Sequence, residues 1–335
     1  MFMRYLYLSL VVLLFVTAGR TPYKKIVITG RAQGTTYSVI YYAHDSTVTA
    51  HQLDSIFRAI DRSLSLYQPG SLINRFNNAR REVKADHHLQ KVVRKAMETF
   101  HETDGIFDIT VQPLVQAWGF GVKRTDKLPD SAQLQSIKQC VSTQWLHWKG
   151  NRLRKAKPCV KIDLNGIAQG YTVDVLADFL EQNGIHHYLV EVGGEIRVKG
   201  KKMPGNEPMK IGIEAPPASI FEATSLQQVL TLDSGAITTS GSYRKYYESE
   251  GQKITHLIDP RTGFPAQNEL ISVTVYARDA MTADAYDNAL MVMGLEKALQ
   301  FVEARNDMAA YFIYRKPDGL VADTACRQFH MLLQR

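Results

Sequence analysis

The chain has 335 residues, 45% apolar and 22% charged, the balance of an ordinary globular protein rather than a disordered or fibrous one. Its 40 Lys and Arg outnumber 33 Asp and Glu, for a net charge of +7. The basic residues are scattered, with short runs such as those at 24–25, 80–81 and 199–202. With no basic stripe interleaved with aromatics, nucleic acid is not an expected partner, and a small anion such as a diphosphate fits as well.

At the start, Arg4 precedes an apolar run over 8–16, and Val16-Thr17-Ala18 supplies small residues before Gly19. This reads as an export signal over 1–18, too short for a comfortable membrane span. Its shape is also that of a lipoprotein signal, but lipid attachment needs a Cys where Gly19 stands. Ordinary cleavage or an uncleaved anchor is therefore expected. Residues 19–23 read as a tether and 24–335 as one domain.

Strands are predicted over 26–29 and 36–42, joined through Gly30–Gly34. Apolar residues at 53, 56, 57, 60 and 64 predict a helix over 52–66, and a second follows over 89–102. Shorter helices are expected over 111–118 and over 131–139, the latter capped by Ser131. Residues 145–148 and 152–155 flank Lys149-Gly150-Asn151 as a hairpin. A helix over 168–182 ends at Asn183-Gly184. Strands follow over 187–192, 195–198, 209–214, 229–232, 236–239 and 270–276. Helices over 280–294 and 295–305 precede a closing hairpin, 309–314 with 320–323, turned by Pro317-Asp318-Gly319. Strands clustered in hairpins predict an α+β fold, mainly antiparallel sheets packed with helices, not a doubly wound sheet.

Three cysteines, Cys140, Cys159 and Cys326, leave at least one thiol unpaired in an exported chain. No CxxC, zinc spacing or HExxH is present, so structural burial is expected of all three.

Several short segments carry chemistry. On the helix over 280–294, Asp284, Asp287 and Asn288 stand at i, i+3 and i+4 and so share one face. Two carboxylates and an amide oxygen suit a hard cation such as Mg2+, and a solvated polar face is the plain alternative. Gln33-Gly34-Thr35-Thr36 is a turn, or a place where backbone approaches a ligand. Tyr67, in a polar loop that ends at Ser71, can stack on a flat ring, or the loop is a helix stop followed by an N-cap. Asp108 stands between apolar residues and must be paired, as a cap or on a ligand. From Asp163 through Gly166 to Gln169 a strand runs into a helix whose free N–H groups suit an anion. Val192-Gly193-Gly194-Glu195 reads as a tight turn and a possible ligand floor. Thr238–Arg244 is hydroxyl-rich, fit for phosphate oxygens or a helix cap. His256, in His-Leu-Ile-Asp-Pro-Arg-Thr-Gly, is a candidate base or phosphate contact, against the commoner structural role of a lone histidine.

Taken in order, the stretches RAQGTTY, SLYQPGSLINRFN, DGIFDITVQPLVQAWGFG, DLNGIAQGYTVD, VEVGGEIRVKG, TTSGSYRKYY, THLIDPRTGFP and TADAYDNALMVMG span nearly the whole mature chain. Together they resemble the bacterial FAD:protein FMN transferases, the ApbE-type flavin transferases. The resemblance implies an ApbE-like single domain in an exported, periplasmic enzyme that faces or is tethered to the inner membrane. It implies FAD as substrate, Mg2+ as cofactor and an acceptor protein whose Thr or Ser hydroxyl receives FMN as AMP leaves. Some members instead hydrolyse FAD to FMN and AMP, and a non-catalytic exported FAD binder is a third reading. By motif, the metal site maps to Gly166, Asp284, Asp287 and Asn288. FAD contacts map to Gln33, Tyr67, Ile106, Phe107, Asp108, Asp163, Gln169 and Ile258, with His256 assisting proton transfer. Three positions depart from the family: Gln33 where it often has Met, Gln169 where it often has Lys, and Asn288 where it usually has Thr.

Overall fold

The structure, a computed structural model, describes residues 22–45, 47–123, 125, 127–216, 226–243, 246–249 and 252–333. The export signal read over 1–18, and Arg244 of the hydroxyl-rich segment, lie outside the described residues. In chain order the elements are Lys24–Ala32 (β1), Thr35–Ala43 (β2), Ala50–Leu64 (α1), Leu72–Asn78 (α2), Glu82–Lys84 (β3), His87–Glu102 (α3), Gln112–Ala117 (α4), Ser131–Lys138 (α5), Leu146–Lys149 (β4), Arg152–Lys155 (β5) and Ala168–Gln182 (α6). Then come Tyr188–Val192 (β6), Glu195–Lys199 (β7), Lys201–Lys202 (β8), Glu207–Glu214 (β9), Leu226–Leu232 (β10), Ser234–Gly241 (β11), Tyr246–Ser249 (β12), Gln252–Thr255 (β13), Leu270–Ala277 (β14), Ala280–Met293 (α7), Leu295–Glu303 (α8), Met308–Arg315 (β15), Val321–Ala325 (β16) and Arg327–Leu333 (α9).

The frame is one antiparallel sheet of eight strands in the order β1-β2-β6-β7-β11-β14-β15-β16. Outer strands bury alternate residues, as Tyr37, Val39 and Tyr41 do on β2, which is the period of a half-covered strand. In β14 and β15 nearly every residue is buried, because helices or further strands cover both faces. The expected α+β architecture with antiparallel pairing is what the chain adopts.

Helix α7 runs through the middle of the molecule. It is buried almost all round, and Ala280, Ala283, Ala285 and Ala289 keep it thin. A β-carbon on Gly170 of α6 would lie 2.2 Å from the Ala280 carbonyl oxygen, so only glycine allows the two helices to approach this closely. One apolar cluster joins α7 to β14 and β15. A second packs α2 and α3 against its other side.

Local chemistry shifted several predicted boundaries. The cap of α5 is Asp130, in a capping box with Gln133, rather than Ser131. The helix expected over 111–118 is a 3-10 turn, Ile109–Val111, running into α4 with Pro113 in its first turn. Ser71 does cap a helix, α2. The segment read as a possible helix cap at Thr238-Thr239-Ser240 is instead strand β11. Cys140, half-buried, and Cys159, exposed, form a disulfide, against the burial expected of all three cysteines, and Cys326 is buried as the free thiol.

Candidate functional site

The acids of α7 do not face solvent. Asp284 is 4% exposed and Asp287 1%. The amide of Asn288 sits between them. Its Nδ2 lies 2.8 Å from the Asp284 main-chain carbonyl, 2.9 Å from Asp287 Oδ1, 3.3 Å from Asp284 Oδ1 and 3.4 Å from the Gly166 carbonyl. The spacing read from sequence, together with the turn at Gly166, thus brings four oxygens around one point; the stretch before that turn, read as a strand, is irregular between β5 and α6. Among the described residues no group of three or more His, Cys, Asp or Glu converges, so the set depends on main-chain and amide oxygens beside the two acids.

Electrostatics match this geometry. Burial pushes the Asp284 carboxyl up to about 7, against the hydrogen bond donated to its Oδ2 by the Gly170 N–H at 2.8 Å. Burial and the neighbouring Asp284 charge push Asp287 well above the carboxylate range, and the Glu195 carboxylate of the β6–β7 turn adds to this. Charge this poorly compensated in a buried pair invites a cation. Two carboxylates, an amide and a carbonyl are a donor set that fits Mg2+, provided the amide turns its oxygen inward.

Around this point the chain gathers other predicted residues. Gln169 Nε2 donates to the Val192 carbonyl at 2.8 Å, fastening the start of α6 to the Gly193-Gly194 turn. A β-carbon on Gly166 would lie 3.7 Å from the Phe107 ring, which places the 106–108 loop beside the carbonyl of the oxygen set. Asp163 donates its N–H to the Ile109 carbonyl at 2.7 Å, and its charge reaches the phenol of Tyr67. Tyr67 itself is 66% exposed, a large ring with a free face.

Other candidates sit differently. Gln33, in the β1–β2 turn with a positive φ of 53°, bonds Asp61 at 3.1 Å. The Asp108 side chain is already occupied: it accepts from the N–H and hydroxyl of Thr110 and of Thr143 at 2.6–3.0 Å. In the 106–108 backbone the Ile106 and Phe107 N–H groups donate to Thr103, and the Asp108 carbonyl accepts from Val111. Ile258 belongs to an apolar cluster with Leu114, Trp118, Leu134 and Ile254, and His256 lies edge-on to Phe120 at 6.2 Å. The 255–265 segment is held there by the Trp118 indole, which donates to the Gly263 carbonyl at 2.8 Å.

Sequence reading gave Asp174 no role and took Ser240 only as part of the hydroxyl-rich 238–244 segment. Asp174, four residues after Gly170 on α6, accepts the Ala280 and Met281 N–H groups at 2.9 and 2.8 Å and pairs with Arg197. It thereby pins the start of α7. Ser240 Oγ donates to Asn288 Oδ1 at 3.3 Å. An acid at the end of a glycine-bearing helix turn was the available signal for Asp174; the hydroxyl run signalled Ser240 but not its partner Asn288.

The ApbE family model matches residues 33–312. A protein from Haemophilus influenzae named FAD:protein FMN transferase is 37% identical over 318 residues, 90% of each chain. The solved flavin transferase ApbE from Vibrio cholerae superposes with a TM-score of 0.82 at 34% identity, covering 93% of this chain and all of that one. The apo flavinyl transferase ApbE from Pseudomonas stutzeri gives 0.83 at 33% identity, covering 94% and 98%. This chain belongs to the ApbE family.

Proposed function

We propose that this chain is an FAD:protein FMN transferase that moves the FMN half of FAD onto a Thr or Ser hydroxyl of an acceptor protein and releases AMP. The observation that carries the reading is the buried oxygen set of Gly166, Asp284, Asp287 and Asn288 at the amino end of α6. Relatives of this length and identity bear that enzyme name.

In this reading Asp284, Asp287, the Gly166 carbonyl and the Asn288 amide would hold Mg2+, which when bound would supply charge neutralisation for the diphosphate and for the departing AMP. In the first turn of α6 the Ala168 N–H donates to the Leu164 carbonyl and the Gly170 N–H to Asp284, so this turn serves the site by holding Asp284 in place. Tyr67 stacks on a flat ring of the dinucleotide, and the 106–108 backbone and Asp163 border that ring. The acceptor oxygen forms a bond to the FMN phosphorus while the bond from that phosphorus to the bridging oxygen breaks. The bridging oxygen leaves with AMP, and the hydroxyl proton passes to His256. Positioning and charge neutralisation carry most of such a step.

We also place the protein outside the cytoplasm, tethered to or facing the inner membrane. The Cys140–Cys159 disulfide supports an oxidising compartment. Among the described residues no helix is long and apolar enough to cross a membrane, so a tether would lie in the amino-terminal segment.

The test uses the purified mature chain with FAD, MgCl2 and an acceptor domain carrying a Thr. A fluorescent acceptor together with AMP is the expected result. AMP with free FMN instead identifies a hydrolase, and neither product identifies a binder and ends the transferase reading.

A further inference from the structure

We infer that Asn288 is an internal stand-in for the cation: without the ion its amide NH2 is the positive partner of the surrounding oxygens, and the side chain must turn over before its own oxygen can join them on the ion. The inference rests on the metal-assisted reading above and adds a competition within that site. Four oxygens lie 2.8–3.4 Å from a single nitrogen, Asn288 Nδ2. That is the surrounding a cation would seek, and the two N–H groups of the amide serve it in part without metal. The opposite amide orientation would put Oδ1 against those same four oxygens, an arrangement that is repulsive until a cation sits between them. Metal-free and metal-bound chains therefore need opposite orientations of one side chain.

Ser240 makes both orientations tenable. Its hydroxyl now donates to Oδ1 at 3.3 Å. After a half-turn of the amide the same hydroxyl can accept from Nδ2, since a hydroxyl both donates and accepts. Threonine at 288 would lack the NH2 group and yet keep an oxygen for the ion. The amide thus stabilises the empty site, and that stabilisation is lost when the ion enters, which lowers apparent metal affinity.

The experiment titrates MgCl2 alone, with neither FAD nor acceptor, into the native chain and into Asn288→Thr by calorimetry, and records metal-free melting curves. The inference expects Asn288→Thr to bind Mg2+ about tenfold more tightly while its metal-free form melts several degrees lower. Unchanged affinity and unchanged metal-free melting in the variant would overturn the inference and leave the metal reading standing. Absence of Mg2+ binding in both proteins would overturn the two together. Should the variant fold poorly, the native chain labelled with 15N-asparagine decides alone. One side-chain amide pair, slow to exchange without metal, must shift on Mg2+ addition, and a full set of unmoved pairs at saturating Mg2+ overturns the inference.

Discussion

Asp108 and the Asp284–Asp287 pair are both buried carboxylate sites, and both looked like ligand sites in the sequence. Their surroundings differ. Asp108 accepts four hydrogen bonds from Thr110 and Thr143, three on Oδ1 and one on Oδ2. In the α7 pair Asp284 accepts the Gly170 N–H and Asp287 is held by the main chain and amide of Asn288, while the charge of Asp284 bears on Asp287. Burial raises the pKa in both places, and in the pair a neighbouring carboxylate adds to it. Burial of an acid is therefore common to both sites; the like charge beside it sets the pair apart.

Substitutions should split the two sites along that line. Asp287→Ala removes half of the charge that would hold Mg2+. It should lower AMP release on the order of 10³-fold, as losing a principal source of transition-state charge stabilisation does. Metal-free melting should hold or rise, because a buried like charge is gone. Asp108→Ala should behave in reverse. It strands buried donors and should cost about 3 kcal/mol of stability by denaturant unfolding, while the folded fraction keeps the native Mg2+ affinity. If Asp108→Ala instead abolished Mg2+ binding without destabilising the chain, the division drawn here would be wrong.

Acidity offers a gentler probe. The metal-free Asp284 carboxyl titrates at about 7 in the fold against an ordinary 3.8 unfolded, and Asp174 at about 6. Between those values the native state holds protons that the unfolded state has released, so stability falls as pH rises. Metal-free melting temperature should drop from pH 5 to pH 8, and saturating Mg2+ should flatten the slope. A metal-free curve that rises over this range would contradict the buried-pair description. The disulfide acts on the other side of the site. It joins the segment that carries Thr143 to the one that leads into Asp163. The paired Cys140→Ser and Cys159→Ser change should cost about 3 kcal/mol and weaken FAD more than Mg2+.

How much of this was legible follows from how local each signal is. The i, i+3, i+4 acids of α7, the Gly193-Gly194 turn and the antiparallel class were readable because periodicity and turn chemistry act within a few residues. The capping role of Asp108 was legible, but its bonds from Thr143 were not, because Thr143 approaches from 35 residues away. The partners of Asp174 and Ser240 were invisible for the same reason: they lie on other elements, 106 and 48 residues distant. The disulfide pairing was equally closed to reading, since no spacing rule selects Cys159 over Cys326 as the partner of Cys140.

The smallest expected effect belongs to Tyr67, a candidate ring that stands in solvent, 66% exposed. A ring that merely ended α1 could be removed at little cost to binding. A ring that stacks on one face of a bound aromatic contributes about 1 kcal/mol beyond its buried area, or roughly fivefold in affinity. Tyr67→Ala should therefore raise the KM for FAD about fivefold, with kcat, Mg2+ affinity and melting temperature unchanged, and Tyr67→Phe should restore the KM because stacking needs the ring and not the hydroxyl. That pattern separates nucleotide grip from metal grip. Equal loss in the Phe and Ala variants would mean that the phenol oxygen, beside Asp163, holds the ligand instead.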